Sequence, residues 1–249
     1  MRRVRKLILG HTESLKKARP ALQNQVFTVL RIWRNYHHDD IGLERLIRLF
    51  LALSQFLSIG LYIKQFTGRW GVQVRKLSTE VYVLCKMLLP VCLFHWEMQS
   101  ELWAALVISY LLCETVIYLG GLVFLQDVSH DRVAPKRSLT LLFLNFFEIV
   151  LDFGLLYAYL CSVNPGMFNQ EIIAARDAIY FSFVTAATLG YGDIYPVASA
   201  ARELVIVQIT LTFVFVGLFI NYFSSMLQRA APAESSQPTF RKTRHRKKS

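Results

Sequence analysis

The chain alternates long apolar runs with short charged stretches, and this alternation sets out its elements. Residues 77–96, 101–125, 138–163 and 200–227 are each long enough to cross an apolar layer ~30 Å thick at about 1.5 Å per helical residue. The first two, separated only by residues 97–100, predict an antiparallel transmembrane hairpin (77–126), with a kink at Pro90. A shorter helical stretch, 177–188, carries Tyr180, Phe181 and Phe183. Residues 26–33 are helical in pattern and suit a bilayer surface. Residues 41–63 are mostly apolar, but Glu44, Arg48, Gln55, Ser58 and Tyr62 share one stripe at helical spacing. That predicts a single amphipathic helix in or near an interface, with a fifth span as the other reading.

Charge distribution orients these elements. Hydrophobic residues make up 54% of the chain and charged ones 18%, yet the net charge is +11. The basic residues gather at the ends, in Arg2, Arg3, Arg5 and Lys6 and again in residues 241–248. A soluble nucleic-acid binder spreads such charge over its surface, so no nucleic-acid partner is expected. The pattern is that of a multi-pass cell-membrane protein with both termini cytoplasmic, and its basic tails suit anionic lipid. A fifth span would place the basic N-terminus outside, which this rule disfavours. Residues 1–76 then form a basic cytoplasmic region containing the interfacial helix. Residues 228–249 form a disordered basic tail, with no folded ligand-binding domain expected there. The apolar run near Met1 is too short for a signal peptide.

Several residues invite chemistry and are read more plainly. His37, His38, Asp39 and Asp40 are too compact for a dedicated metal site, and Asp127, His130 and Asp131 read as solvated charge in a cytoplasmic loop. Cys85, Cys92, Cys113 and Cys161 lie in apolar spans and read as small core hydrophobes. There is no nucleophile–base pair and no phosphate loop, so neither an enzyme nor a cofactor is expected.

Ionisable groups inside the spans are expensive and therefore informative. Lys86 and Glu114 lie at comparable depth on the two hairpin helices and are expected to pair, either as a gating element or as a bridge fixing helix register. Asn145, Glu148 and Asp152 share one face of residues 138–163. Two carboxylates one turn apart repel, so either one keeps its proton or a cation lies nearby, and Lys86 is the candidate. A proton-sensitive gate and a buried polar network both fit.

The most specific stretch is Thr185-Ala186-Ala187-Thr188-Leu189-Gly190-Tyr191-Gly192-Asp193. It resembles the selectivity-filter motif of tetrameric potassium channels, T-x-x-T-[VIL]-G-Y-G-D. The residue types suit ion selection. Carbonyls that replace an ion's water shell must point at one axis, and Gly190 and Gly192 permit the backbone this requires. The resemblance covers residues 138–227 and implies an all-α pore domain of outer helix (138–163), pore helix and filter (177–193) and inner helix (200–227). It further implies a homotetramer, since one loop is one wall of four, and K+ as permeant ion on the Thr188 hydroxyl and the carbonyls of Thr188, Leu189, Gly190 and Tyr191. Asp193 caps the outer end.

Other positions follow from the same resemblance. Tyr180 and Phe181 stand where an aromatic pair braces the filter tyrosine, with Val184 and Thr185 supporting from the pore helix. Val184 replaces a carboxylate found in some relatives. The inner helix has Thr212 at the usual glycine hinge, so Gly217 is the expected hinge, while Phe213, Phe215, Phe219 and Phe223 offer either a constriction or packing bulk. Residues 101–125 contain no Arg or Lys, so a classical voltage sensor is not expected. The function implied is passive, potassium-selective conduction. The alternatives are a pore opened by a ligand or partner in a signalling or stress pathway, and a non-conducting anchor with a relic filter.

Overall fold

The computed structural model describes residues 20–34, 42–125, 135–170 and 174–230. The basic residues before Pro20, the 37–40 cluster, the 126–134 loop and the tail after residue 230 lie outside them. The described residues are helical, in the order α1 (Ala21–Arg34), α2 (Leu43–Ser54), α3 (Ile59–Thr67), α4 (Val72–His95), α5 (Leu102–Phe124), α6 (Pro135–Val163), α7 (Ala175–Ala186) and α8 (Ser199–Ala230). Short 3-10 turns at Gln55–Leu57, Gly68–Trp70 and Met98–Ser100 join neighbours.

Val72–His95, Leu102–Phe124, Arg137–Val163 and Ser199–Ser224 are long and apolar enough to span a membrane, as the apolar runs predict. The helix α4 starts earlier than its run because Gly71, at φ 118°, turns the chain into it and accepts the Arg75 N–H. Pro90 is buried inside α4 without ending it. The organising helix is α6: 61% of its apolar window is buried, against 22–33% for the other spans. Its Ile149, Phe153, Leu155 and Tyr157 share one core with Leu93 of α4, Ile108 and Leu112 of α5, Ala178 and Phe181 of α7, and Phe215 and Leu218 of α8. Gly154 lets α7 approach, since a Cβ there would lie 3.3 Å from the Ile179 Cα.

The structure departs from the expected single helix over residues 41–63. Ser58 is extended (φ −74°, ψ 125°) and splits it, so the paths before and after differ in direction by 65°. The cause is a carboxylate from α5: the Ser58 hydroxyl and the Gly60 N–H both donate to Glu114 Oε1, at 2.6 and 3.0 Å. Backbone groups drawn to a buried acceptor cannot also continue a helical ladder. The preceding α2 lies close on α5 because Gly120 and Gly121 carry no side chains there; a Cβ on Gly120 would meet Leu51 at 2.9 Å.

The cysteines also depart from expectation. Cys85, Cys92 and Cys113 are exposed and Cys161 half-exposed in the single chain, because apolar helices present apolar residues to lipid as readily as to a core. The inner helix α8 runs unbroken through Gly217. Phe215 and Phe219 pack on α6 through Phe146 (4.6 Å) and Phe143 (4.9 Å), whereas Phe213 and Phe223 are exposed.

Replacing Gly154 by leucine wedges α6 from α7. Overpacking of this kind costs about 1–3 kcal/mol, so Gly154→Leu lowers the thermal unfolding midpoint of the detergent-solubilised protein; an unchanged midpoint would show that the two helices do not meet there.

Candidate functional site

The motif segment begins where α7 runs out. Ala187 N–H bonds the Phe183 carbonyl at 2.8 Å, Thr188 N–H that of Thr185 at 3.0 Å and Leu189 N–H that of Val184 at 3.0 Å. The helix end is thereby tied to the strand-like segment that follows, with Val184 and Thr185 buried beneath it. Thr188, Gly190 and Gly192 then have φ values of 55°, 57° and 80°, while Leu189 and Tyr191 between them keep the usual sign. In an ordinary extended chain successive carbonyls face opposite sides. Reversing the sign of φ at every second residue turns alternate peptides over and brings the carbonyls to one side. The glycines adopt this without penalty; Thr188, β-branched and at positive φ, is a backbone outlier. Leu189 and Tyr191 are 56% and 66% exposed, so this wall has no covering within its own chain.

The outer end is held from two directions. The Tyr180 hydroxyl donates to Asp193 Oδ2 at 2.7 Å, and this bond holds the Asp193 carboxyl below the usual carboxylate range. Asn169 donates from Nδ2 to the Asp193 carbonyl and accepts the Tyr195 N–H on Oδ1, both at 2.8 Å. Phe181 packs edge-on against Tyr157 and Phe168, with ring centres 4.9 and 5.1 Å away. Within one chain the aromatic pair therefore braces Asp193 and the outer loop rather than Tyr191.

Behind the segment, three helices meet in a buried knot. Ser182 of α7 donates to the Val150 carbonyl of α6 at 2.6 Å. Gln208 of α8 donates to the Ser182 carbonyl and hydroxyl at 2.9 and 2.8 Å, and accepts the Tyr157 hydroxyl at 2.6 Å. Ser182, Gln208 and Tyr157 are fully buried, and each bond there is made away from competing water.

The intramembrane charges pair differently from the sequence expectation. Lys86 Nζ lies 2.8 Å from Glu148 Oε1, and both groups contact Thr115 Oγ1, at 2.5 and 2.8 Å. Lys86 thus meets Glu148, as one expectation has it, and not Glu114. The two residues match in depth along their helices, but adjacent residues diverge by about 100° around a helix, and it is Thr115, next along, that faces Lys86. Glu114 instead binds Ser58, Gly60 and the Tyr82 hydroxyl, the last at 2.6 Å. Asp152 is fully buried, and neither of its carboxylate oxygens has a hydrogen-bond partner among the described residues.

Sequence reasoning passes over Ser182, Gln208, Thr115, Tyr82 and Asn169. Gln208 is open to detection, since an amide within an apolar run demands partners. Asn169 carries no such signal, because polar residues are ordinary in loops.

A short helix held between two spanning helices and followed by a loop of alternating backbone handedness defines the pore unit of a pore-loop ion channel. Residues 145–229 match a family model described as "Ion channel", so the segment that holds this short helix and loop is similar to the pore segment of ion channels. The chain is similar to Two-pore potassium channel 1 of Arabidopsis thaliana, at 31% identity over 45% of this chain and 31% of that protein. It is also similar to the voltage-gated potassium channel Kch of Escherichia coli, at 33% over 35% of this chain and 19% of that protein. Potassium channel K2 of Plasmodium falciparum is 28% identical over 42% of this chain and 8% of that protein. The matches thus span less than a third of each relative. No solved structure matches the chain.

Two outcomes follow from these contacts. Lys86→Met leaves Glu148 buried without its cation and destabilises the solubilised protein by about 3–5 kcal/mol, whereas Lys86→Met with Glu148→Leu recovers most of that loss; chemical unfolding of the three proteins measures both. For Asp193, a depressed carboxyl contributes stability above the unfolded value of about 3.9 and loses it as pH falls through the lower folded value. Tyr180→Phe removes the bond, so stability falls near neutral pH but not at the most acidic end, and the profile there becomes shallower; an unchanged profile would mean that the bond does not form.

Proposed function

We propose that the protein is a potassium-selective channel, a homotetramer whose four filter loops surround one axis and pass K+ passively down its gradient. The observation that carries this reading is the alternation of φ sign across Thr188–Gly192, which gives one wall of a carbonyl-lined path. The Thr188 hydroxyl and the carbonyls of Thr188, Leu189, Gly190 and Tyr191 replace the water shell of the ion. The C-terminal end of α7, where its aligned peptide dipoles place partial negative charge, favours a cation beside it. The exposed Leu189 and Tyr191 suit the missing walls, which neighbouring subunits supply.

With four spans both termini fall on one side, and the basic residues at both ends favour the cytoplasmic side of a cell membrane for them, with anionic lipid as a natural contact. The α5 sequence carries no Arg or Lys, which supports gating by something other than a classical voltage sensor. The seating of Ser58 and Gly60 on Glu114 favours a second reading of the gating, in which a ligand or partner at the N-terminal region opens the pore.

Flux through purified protein in liposomes, with potassium and sodium gradients compared, tests the proposal. Wild type passes K+ well above Na+. Gly190→Ala, which forces a Cβ into a left-handed conformation costing roughly 1–2 kcal/mol per residue, abolishes the difference. Equal K+ and Na+ flux through wild type overturns the selectivity, and no flux at any potential or pH, with or without cytosolic extract, leaves the relic-filter anchor.

A further inference from the structure

The chain leaving the motif segment does not simply loop away; it is clasped by the outer loop. Phe168 and Pro196 form an antiparallel bridge. On one side of it the Val197 and Ala198 N–H groups bond the Met167 carbonyl, at 2.9 and 3.2 Å. On the other, Asn169 N–H bonds the Tyr195 carbonyl at 3.1 Å. The Asn169 side chain adds the two contacts already described, giving to the Asp193 carbonyl and taking from the Tyr195 N–H.

Only a short primary amide fills this position. In extended backbone the carbonyl of one residue and the N–H two residues on face the same side, one an acceptor and one a donor. A planar amide meets both at once, while Asp offers only acceptors, Ser a single atom, and Leu nothing. The clasp is itself anchored, because Phe168 is buried and packs on Tyr157 of α6 (5.7 Å) and Phe181 of α7 (5.1 Å).

The clasp sits where the segment most needs a fixed end. Gly190 and Gly192, free to take positive φ, are equally free to leave it. Asp193 is the first residue past them, and its side chain and main chain are held separately, by Tyr180 and by Asn169. We infer that Asn169 is a positioning residue for ion selection, whose amide pins the Asp193 carbonyl and so keeps the Tyr191 and Gly192 carbonyls aimed at the ion path. The inference rests on the channel reading given above.

The test compares K+ and Na+ flux in liposomes for wild type, Asn169→Leu and Asn169→Asp, alongside oligomer size and thermal midpoint. Asn169→Leu loses both side-chain bonds; Asn169→Asp keeps the one from Tyr195 and loses the one to Asp193. Both variants raise the Na+-to-K+ flux ratio by at least about fivefold, the factor expected for one neutral hydrogen bond, while size and midpoint stay near wild type. A merely structural role would move the midpoint and leave the ratio of the surviving protein alone, and that result overturns the inference, as does a wild-type ratio in both variants. Should Asn169→Leu fail to accumulate, the ratio of Asn169→Asp decides. A wild type without K+ preference overturns the channel reading and the inference together, whereas a selective wild type with unaltered variants overturns the inference alone.

Discussion

The Lys86–Glu148 ion pair is the contact on which the arrangement of the helices turns. Helices surfaced with leucine, valine and phenylalanine meet lipid and one another on nearly equal terms, so apolar packing alone fixes neither their register nor their rotation. A buried charge does both, because its partner must lie within a few ångströms at the right angle. With Thr115 bonded to both members, the pair locks α4, α5 and α6 in one relation. The same helix α6 then receives α7 and α8 through the Val150 carbonyl and Tyr157.

What these contacts hold in place is a segment unstable by itself. Three positive φ values in five residues, one of them at a β-branched threonine, do not persist in a free loop. The α7 carbonyls capture the N–H groups at its start, and Tyr180 and Asn169 hold its end. The backbone between them touches nothing that a side chain could mimic, since an added Cβ at Gly190 or Gly192 meets no atom within 4 Å. Within the chain, glycine is required there for its positive φ.

The sequence made some of this legible and hid the rest for physical reasons. Span positions follow from apolar length, and the alternating backbone of the motif segment from a run whose glycines stand at every second position. The partner of Glu114 did not follow, because depth along a helix is readable from residue counts while rotation about its axis depends on packing. The break at Ser58 was hidden for a related reason: hydrophobic periodicity records which face is apolar and is blind to a distant carboxylate that captures two donors. Asn169 acts through backbone groups that every residue possesses, so nothing in its neighbours' identities points to it.

The two carboxylate clusters are also contiguous. Glu114 accepts from Tyr82, and the Lys86 ammonium lies 5.7 Å from the centre of that same ring, within reach of a cation–π attraction. A path of polar contacts therefore runs from Ser58 through Glu114, Tyr82 and Lys86 to Glu148, and along α6 to α7, which precedes the motif segment. Contiguity becomes coupling only where a member of the path has two arrangements. Ser58, extended between two helices, gives its hydroxyl to Glu114 and its N–H to the Gln55 carbonyl, while its own carbonyl accepts the Leu61 N–H.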